Sequence, residues 1–578
     1  MNSVYQAFEE AAESYPNNDF LHIPASASAV YASGALTFSY SEFRALVSKT
    51  IKMYTRSAVS FGLGEGRGES GNDVRVLRVA LLLENRPEFF QHFFALNALG
   101  VSVVPVNAEM QPREQAYVLE HSEAKLLVCL PERIEGVKAA LNLCEFPPVL
   151  VASNDLDSLS PSVTFDAKKQ IPGKGTNNII GSETECALLY TSGSTGLPKG
   201  CMLSNEYFLG FGRWYRDIGG YCKLEPGKER LLTPLPLVHM NAMAVSTMGM
   251  VMTGGCIVQL DRFHPRTWWQ SVVDTGATAV HYLGVLPAIL LALPQVPNET
   301  AHCVKFGFGA GVNPRHHQAF EERFGFPLIE SWAMSESGSG GCVTANVEPR
   351  HIGKCCFGKP ASAVEIRLVD EAGVEVAKGQ AGELLVRAAG EMPERGFFSG
   401  YLKNPEATAQ DWKGGWWHTG DVVKEDDDGS LFFIDRRKNV IRRSGENIAA
   451  LEVEAALSGD PSIDTCVVCA VPDEMRGDEV MALIITPADV LLSQLQAEAI
   501  VNRARSRLSY FKLPGYVAVV EELPLTASQK PRRADIKILG KQLLEQGACF
   551  DLRHLKKREQ KRPLDVIKSN DTPSGGVA

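Results

Sequence analysis

A loop of small hydroxylated residues and glycines begins at residue 191 and ends in a single lysine. The apolar residues before it read as a strand, so we expect the loop at a strand end. Glycines let backbone N–H groups approach an anion, hydroxyl groups add donors, and the lysine adds a positive charge. These properties suit a polyphosphate, and the residues expected to hold it are Thr191, Ser192, Gly193, Ser194, Thr195, Gly196 and Lys199.

Other nucleotide-binding patterns fit this chain less well. Residues 191–200 are not a Walker A loop, which needs four residues between its glycines and then Gly-Lys-Ser/Thr. Residues 353–360 have Walker spacing, but Pro360 offers neither a hydroxyl nor an N–H group to a ligand. Residues 307–311 lack the third glycine of a dinucleotide-binding loop, because Val312 follows Gly311. We therefore expect the phosphates at 191–200.

Cys466 and Cys469 have the spacing of a metal or redox pair. They lie in an apolar segment that reads as a strand, where alternation directs the two sulfur atoms to opposite faces. No second pair follows at ligand spacing. We expect neither zinc binding nor thiol redox chemistry here.

The elements that must position these residues follow an α/β pattern, because strand-like apolar runs alternate with amphipathic stretches. Near residue 435, a charged, glycine-containing stretch precedes a shorter segment with its own βα pattern. We predict a large N-terminal domain over residues 1–436 and a small C-terminal domain over 437–545, joined by a hinge. Residues 546–578 are basic and then polar, and we predict a solvated tail.

Size, charge and cysteine content exclude several classes of protein. The chain has 578 residues, too many for one core, and its net charge of -10 argues against a nucleic-acid partner. No uncharged apolar run reaches the roughly 18 residues of a membrane helix. The 13 cysteines are scattered, many inside apolar runs, which is typical of a reducing compartment. We predict a cytoplasmic protein without a membrane span.

A series of blocks along the chain resembles, in order, those of the adenylate-forming superfamily, which includes acyl-CoA synthetases, adenylation domains and luciferases. Residues 191–200 resemble its phosphate loop, and further blocks lie at 236–241, 309–312, 331–336, 417–421, 435–447 and 523–530. Residues 435–447, the block at the hinge, and residues 400–408 look most like the carnitine/crotonobetaine CoA ligases. The resemblance implies a large multi-layer domain with mixed sheets and a small α+β domain.

The resemblance implies that the chain activates a carboxylic acid as an acyl-AMP, releases pyrophosphate and passes the acyl group to coenzyme A. ATP, Mg²⁺ and coenzyme A are the implied cofactors. Glu336 would hold the Mg²⁺ ion through a hard oxygen, and Ser335 would bond the α-phosphate. Lys530 would bridge the attacking carboxylate and the α-phosphate and compensate charge as the bond forms.

The nucleotide is expected to contact residues from several of the resembling blocks. The backbone of 309–311 would lie against the adenine, Trp332 would stack on it, and Asp421 would accept the ribose hydroxyl groups. Arg436 would reach the ribose or a phosphate. The implied nucleotide contacts beyond the phosphate loop are Gly309, Ala310, Gly311, Trp332, Asp421 and Arg436.

The small domain is expected to rotate about Lys438 after the adenylate forms. This rotation would withdraw Lys530 and bring Ser444, Gly445 and Glu446 against the site, opening a channel for the thiol. One active site would then catalyse both half-reactions.

His239 is implied to lie beside the acyl group, and the remaining implied pocket residues mix polar and aromatic types. They contain no carboxylate to balance a quaternary ammonium group, so a small or medium polar or aryl acid is as compatible as a carnitine-like one. The chain could instead load a separate carrier protein, or be a luciferase-like oxidase or an inactive relative; a homodimer is also compatible. The pocket residues are Trp214, Met240, Asn241, Ser331 and Ala333.

Overall fold

The computed structural model describes residues 1–56, 76–156, 180–191, 197–436, 440–458, 460–487, 492–524 and 531–557. These residues form four β-sheets with helices packed between and around them. Three sheets belong to the large N-terminal domain and one to the small C-terminal domain, which confirms the predicted α/β class and the mixed sheets.

The largest sheet has eight strands, parallel except at its two edges. Its glycine-containing strand Phe306–Ala310 pairs with Ala279–Leu283 and Leu328–Trp332. The carboxyl ends of these parallel strands meet at one edge, where ligands bind in open α/β sheets. In spatial order the strands are Val343–Thr344, Leu328–Trp332, Phe306–Ala310, Ala279–Leu283, Arg230–Thr233, Cys256–Gln259, Asp19–Ile23 and Leu36–Ser39.

The second sheet has seven strands and carries the loop predicted to bind phosphate. Its central strands are buried along their whole length and are rich in aliphatic residues, as expected for parallel strands covered on both faces. At one edge the strands become antiparallel. In spatial order the strands are Gly400–Tyr401, Lys199–Ser204, Glu185–Thr191, Ser102–Pro105, Arg78–Leu82, Leu126–Cys129 and Val149–Ala152.

The third sheet of the large domain has five strands and is antiparallel throughout. Its longer strands mix buried positions with half-buried and exposed ones, as expected for a sheet packed mainly on one face. In spatial order the strands are Cys356–Gly358, Leu431–Arg436, Trp417–Glu425, Ala381–Ala388 and Val364–Val369.

The small domain contains one sheet and a core of its own, built around residues such as Ile448, Val480 and Val517. A short strand, Phe550–Asp551, extends this sheet, and the buried Lys556 ammonium donates to Glu479. The packed structure therefore continues beyond residue 545, where the sequence predicted the tail to begin. The other strands are Glu446–Ala449, Val440–Arg443, Gly477–Ile485, Thr465–Asp473 and Tyr516–Val519.

The helices of the large domain cover the faces of its sheets, and three more pack on the small sheet. Among the described residues, none of the helices combines the length and apolar character needed to cross a membrane. The helices are Val4–Ser14, Ala25–Ser28, Tyr40–Arg56, Pro87–Ala98, Pro112–His121, Ile134–Leu141, Asn205–Asp217, Thr247–Thr253, Trp268–Asp274, Val285–Ala292, Pro314–Phe324, Pro405–Asp411, Ala450–Leu457, Gln494–Ala504 and Arg533–Glu545, with a π-helical turn at Asn241–Ser246.

Candidate active site

Two hydroxyl groups contact the Glu336 carboxylate, which is 7% exposed. The Thr191 hydroxyl donates to Oε1 at 3.2 Å, and the Tyr401 hydroxyl donates to the same atom at 3.1 Å. Burial is the main reason that the pKa of Tyr401 is raised, so its oxygen stays protonated and can donate. The structure thus brings two predicted residues, Thr191 and Glu336, together with a tyrosine that the sequence analysis did not single out.

Lys199 lies on the other side of Tyr401. Its ammonium nitrogen lies 4.3 Å from the centre of the tyrosine ring and 3.9 Å from the Asp411 carboxylate. The Lys199 and Asp411 side chains are each 15% exposed, so solvent screens this charge contact only in part. A cation held this way, beside a carboxylate and hydroxyl donors, can accept a polyphosphate.

Local structure explains how these groups meet. Thr191 ends one strand and Lys199 begins the next, and the two residues are paired in antiparallel register. The helix Pro405–Asp411 begins with Asn404, whose side chain accepts from the Ala407 N–H, and with Pro405 in the first turn, both common at helix starts. This helix ends at Asp411 and so presents its carboxylate to Lys199.

Trp332 and Asp421 form a buried pair. The indole N–H of Trp332 donates to Asp421 Oδ2 at 2.9 Å, and Asp421 is 1% exposed. Asp421 is also the register partner of Arg436 in the five-stranded sheet. The structure therefore places the predicted adenine-stacking residue against the predicted ribose ligand.

The backbone predicted to lie against adenine is held by Glu330. Its two carboxylate oxygens accept the N–H groups of Gly311 at 2.8 Å and Val312 at 2.9 Å. Burial raises the pKa of Glu330, although these bonds oppose that effect. A Cβ atom on Gly309 would collide with the Tyr282 carbonyl, so only glycine fits there.

A cavity of about 610 Å³ lies between the two domains. Ala310, Gly311, Ser331, Trp332 and Ala333 line it from the large domain. From the small domain its lining includes Arg442, Gly445, Arg476, Arg533 and Lys537. Of these small-domain residues, Gly445 alone was predicted from the sequence to lie at the site. The volume lies in the range of cofactor sites.

A tight hairpin carries the small domain into the large one. Arg443 and Glu446 face each other across Ser444 and Gly445, which both have positive φ (51° and 90°), as in a type I′ turn. A Cβ atom on Gly445 would overlap the Leu283 side chain of the large domain. The turn therefore favours glycine at position 445, and a side chain there would also displace the end of Leu283.

Glu446 reaches His239 of the large domain, with 3.6 Å between Oε1 and Nε2. The His239 side chain is 40% exposed, although its Nε2 atom is covered. Burial lowers the pKa of His239, but the Glu446 carboxylate outweighs burial and leaves that pKa raised. Conversely, burial raises the pKa of Glu446 and His239 lowers it, with a net lowering.

The predicted acyl residues form two groups. Ser331 and Ala333 line the interdomain cavity, where the Ser331 hydroxyl bonds Thr344 at 2.8 Å. Trp214 packs edge-on against Phe308, with ring centres 5.9 Å apart. Met240 accepts a bond from Tyr207, and Asn241 Oδ1 lies 2.7 Å from Nδ1 of the buried His281.

Several predicted residues lie outside the described part of the chain, and their roles stay predictions. Ser335 is described, half-buried in the turn that carries Glu336. The residues outside are Ser192, Gly193, Ser194, Thr195, Gly196, Lys438, Lys530 and, for its side chain, Arg436.

Sequence reasoning missed Tyr401, Asp411 and Glu330. A carboxylate inside the apolar strand Leu328–Trp332 is a signal that could have drawn attention to Glu330, because a buried charge needs partners. Tyr401 and Asp411 carried no comparable signal, since their roles depend on contacts with Glu336 and Lys199, distant in sequence.

Comparison with known proteins identifies the family of the chain. The family model described as AMP-binding enzyme matches residues 8–402, and that described as AMP-binding enzyme C-terminal domain matches 452–530. A sulfoacetate–CoA ligase of Cupriavidus necator is 30% identical, covering 84% of this chain and 89% of that protein. A crotonobetaine/carnitine–CoA ligase of Salmonella arizonae is 27% identical, covering 86% and 93%.

A solved structure shares the whole fold. A double mutant of the o-succinylbenzoate CoA synthetase of Bacillus subtilis, bound to its product analogue OSB-NCoA, superposes with a TM-score of 0.73 at 22% identity, covering 93% of this chain and 98% of that one. The same enzyme with its acyl-adenylate intermediate covers the same shares with a TM-score of 0.59. The chain therefore belongs to the AMP-binding enzyme family, among its acyl-CoA ligases.

Proposed function

We propose that this acyl-CoA ligase activates a small polar carboxylic acid as an acyl-AMP at the cleft around residues 331–336 and passes the acyl group to coenzyme A. One observation carries the proposal. This segment joins Trp332, which is bonded to Asp421, to Glu336, which is bonded to Thr191, so a nucleotide's base and phosphates can be held along one line.

The first half-reaction joins a carboxylate oxygen of the acid to the α-phosphorus and releases pyrophosphate. Thr191 and Lys199 would hold the departing phosphates, and Ser335 the α-phosphate. The buried Glu336 carboxylate and the Thr191 hydroxyl are hard oxygen donors of the kind that Mg²⁺ prefers. A Mg²⁺ ion bound there would neutralise phosphate charge.

The second half-reaction would use the domain arrangement described here. The thiol sulfur attacks the acyl carbon, AMP leaves, and the thiol loses its proton. The Ser444–Gly445 hairpin lies against Leu283 and Glu446 lies against His239, as expected after rotation about Lys438. The higher TM-score with the product-analogue complex than with the acyl-adenylate complex supports this assignment.

Coenzyme A would enter through the interdomain cavity. Arg442, Arg476 and Lys537 line it and can attract the phosphates of a nucleotide thiol. Arg476 donates to the Ser444 hydroxyl at 3.2 Å, so its guanidinium lies beside the hairpin. This arrangement favours coenzyme A over a separate carrier protein, which stays the alternative.

The Lys530→Ala variant tests the two-state scheme. We expect pyrophosphate exchange to fall by about 10²–10³, which corresponds to about 3–4 kcal/mol of lost charge stabilisation. Thioester formation from supplied acyl-AMP should continue at nearly the rate of the unmodified enzyme, because Lys530 would be withdrawn in that step. Equal loss of both half-reactions would refute domain alternation.

The proposed acid carries a hydrogen-bond acceptor. Burial lowers the pKa of His281 to about 3, so the ring is neutral. Its Nε2 contacts the Tyr215 hydroxyl, and its Nδ1 lies 2.7 Å from Asn241 Oδ1 and 2.9 Å from the Ser246 hydroxyl. We assign the Tyr215 hydroxyl as donor to Nε2, so that Nδ1–H donates to Asn241 Oδ1. Among the described residues the Asn241 amide nitrogen has no hydrogen-bond partner, which leaves it for the substrate.

A pair of acids matched in size, one with a distal acceptor oxygen and one without, tests this assignment. The unmodified enzyme should prefer the acceptor-bearing acid in kcat/KM, and Asn241→Leu should reduce that preference about tenfold, the worth of one buried hydrogen bond. An unchanged preference would show that Asn241 does not contribute to the selection of the acid.

We propose domain limits of 1–436 and 437–557, because strand Leu431–Arg436 belongs to a large-domain sheet and Lys556 is buried in the small domain.

Every one of the 13 cysteines is free, which supports a reducing, cytoplasmic location. A homodimer stays a prediction.

A further inference from the structure

A cluster of three buried charges joins the two domains. The Lys512 ammonium donates to Glu114 Oε1 at 2.5 Å and to Glu452 Oε1 at 2.7 Å. The side chains of Lys512, Glu114 and Glu452 are 8%, 9% and 16% exposed. Glu114 belongs to the large domain and the other two to the small one, so the contact exists only while the domains are arranged as described here.

The Glu114 side chain is already oriented for this contact by a hydrogen bond within its own domain. It lies in the first turn of the helix Pro112–His121, and its Oε2 accepts the Gln111 N–H at 2.6 Å. The same oxygen accepts the hydroxyl of the buried Ser509 from the small domain. Both carboxylate oxygens are therefore oriented, which reduces the entropy cost of forming the interdomain pair.

Glu452 links this cluster to the hairpin that enters the large domain. It lies in the first turn of Ala450–Leu457, the helix that directly follows the hairpin strand Glu446–Ala449. Fixing the start of this helix fixes the base of the hairpin whose other end contacts Leu283 and His239. The cluster thus acts at a distance from the substrates.

We infer that Lys512 and Glu114 are positioning residues whose ion pair holds the small domain in its thioester-forming arrangement, while Glu452 keeps Lys512 paired within the small domain. The inference rests on the proposed alternation of the domains. Two carboxylates share one ammonium, so Lys512 keeps Glu452 as its partner when the domains separate and gains Glu114 when they meet. Because Lys512 stays paired in both arrangements, separation leaves no unpaired buried cation.

Glu114→Gln tests this role. Glutamine can still accept the Gln111 N–H but carries no charge, so the helix start is kept and the ion pair is lost. We expect thioester formation from supplied acyl-AMP and coenzyme A to slow about tenfold, because a buried charge pair loses one partner. Pyrophosphate exchange should keep its rate. Glu120→Gln, an exposed change on the same helix, is the matched control and should alter neither rate.

Glu452→Gln should act differently from Glu114→Gln. It removes the surplus negative charge and leaves the Lys512–Glu114 pair, so thioester formation should not slow.

A cross-link between Arg315→Cys and Glu474→Cys reports the domain arrangement directly, because these exposed side chains meet across the domains at 3.4 Å. The cross-link yield should fall in Glu114→Gln only, with chains that carry just one of the two introduced cysteines as background.

Equal effects of Glu114→Gln on both half-reactions, or equal effects of the two glutamate variants, would overturn the inference. Failure of the proposed alternation is distinguishable, since Lys530→Ala would then impair both half-reactions alike. If Lys530→Ala separates the half-reactions while Glu114→Gln changes neither the rates nor the cross-link, only the role of the cluster is refuted.

Discussion

At the scale of single residues, the site contains two buried carboxylates with different surroundings. Glu336 accepts from the hydroxyl groups of Thr191 and Tyr401, whereas Asp421 accepts from the indole of Trp332. A hydroxyl group can donate to a carboxylate or to a phosphate and can also accept or bind a metal ion. Such adaptable partners suit the phosphate end of the cleft. The indole can only donate, so it orients Asp421 as an acceptor beside the aromatic face predicted for adenine.

Tyr401→Phe isolates the hydroxyl of this residue. The ring beneath Lys199 stays, but Glu336 loses one donor and Asp411 loses another contact at 3.2 Å. One lost hydrogen bond to a carboxylate corresponds to about 1.5 kcal/mol, so we expect pyrophosphate exchange to slow about tenfold.

Tyr401→Leu is the companion to that variant. It removes the ring as well, and therefore the cation–π contact with Lys199, so exchange should fall further than in Tyr401→Phe. A phenylalanine variant with the original exchange rate would show that the hydroxyl does not orient Glu336 for reaction.

At the scale of elements, short segments at strand ends form the cleft, and each is held by side chains from a neighbouring strand. Glu330, on strand Leu328–Trp332, holds residues 311 and 312, which follow the adjacent strand Phe306–Ala310. Thr191 and Lys199 meet because their strands pair in register. The positions of the functional groups therefore depend on sheet register. A shift of one residue would move each side chain to the opposite face of the sheet.

Glu330→Gln should loosen the segment predicted to contact adenine. The amide offers one acceptor where two backbone N–H groups need one each, and a buried unpaired donor costs about 1–3 kcal/mol. We expect the KM for ATP in pyrophosphate exchange to rise about tenfold and the melting temperature to fall.

Glu299→Gln is the matched control for this prediction. Glu299 is also a buried glutamate of the large domain, but it pairs with Arg323 away from the cleft. It should lower the melting temperature without changing the KM for ATP. A similar KM change in both variants would mean that Glu330 acts only through general stability.

At the scale of the whole molecule, two domains with separate cores meet through charged and polar contacts. The large-domain core ends near Leu431, and the small-domain core begins at Ile441. Between them lie the His239–Glu446 pair and the Lys512 cluster. Polar interfaces of this kind separate at lower cost than apolar ones, which suits a proposed alternation between two arrangements.

The His239–Glu446 pair should make the thioester-forming arrangement depend on pH. His239 has a raised pKa here, so its contribution is complete below the ordinary histidine value of about 6.5 and is lost as pH rises through the raised pKa. Glu446 has a lowered pKa, so its contribution is complete above about 4.3 and is lost as pH falls through the lowered pKa. Lys512, which also lowers the pKa of Glu446, stays charged throughout.

The measurement is the rate of thioester formation from supplied acyl-AMP between pH 6 and 9, compared with that of His239→Asn. Ionisation of the thiol affects both enzymes alike, so the ratio of the rates isolates the histidine. This ratio should fall towards one as pH rises through the raised pKa. A constant ratio would show that protonation of His239 does not contribute to this step.

The sequence by itself determined the α/β class and the two-domain division and predicted a phosphate loop, because hydrophobic alternation and a local motif are properties of consecutive residues. It also predicted roles for Glu336 and Asp421 from their place in short blocks. The tertiary structure alone decided that Tyr401 contacts Glu336, that Glu330 holds the segment after Phe306–Ala310, and that Lys512 meets Glu114 across 398 positions. Such contacts depend on how distant strands and domains pack, and no local pattern of residue types records that packing.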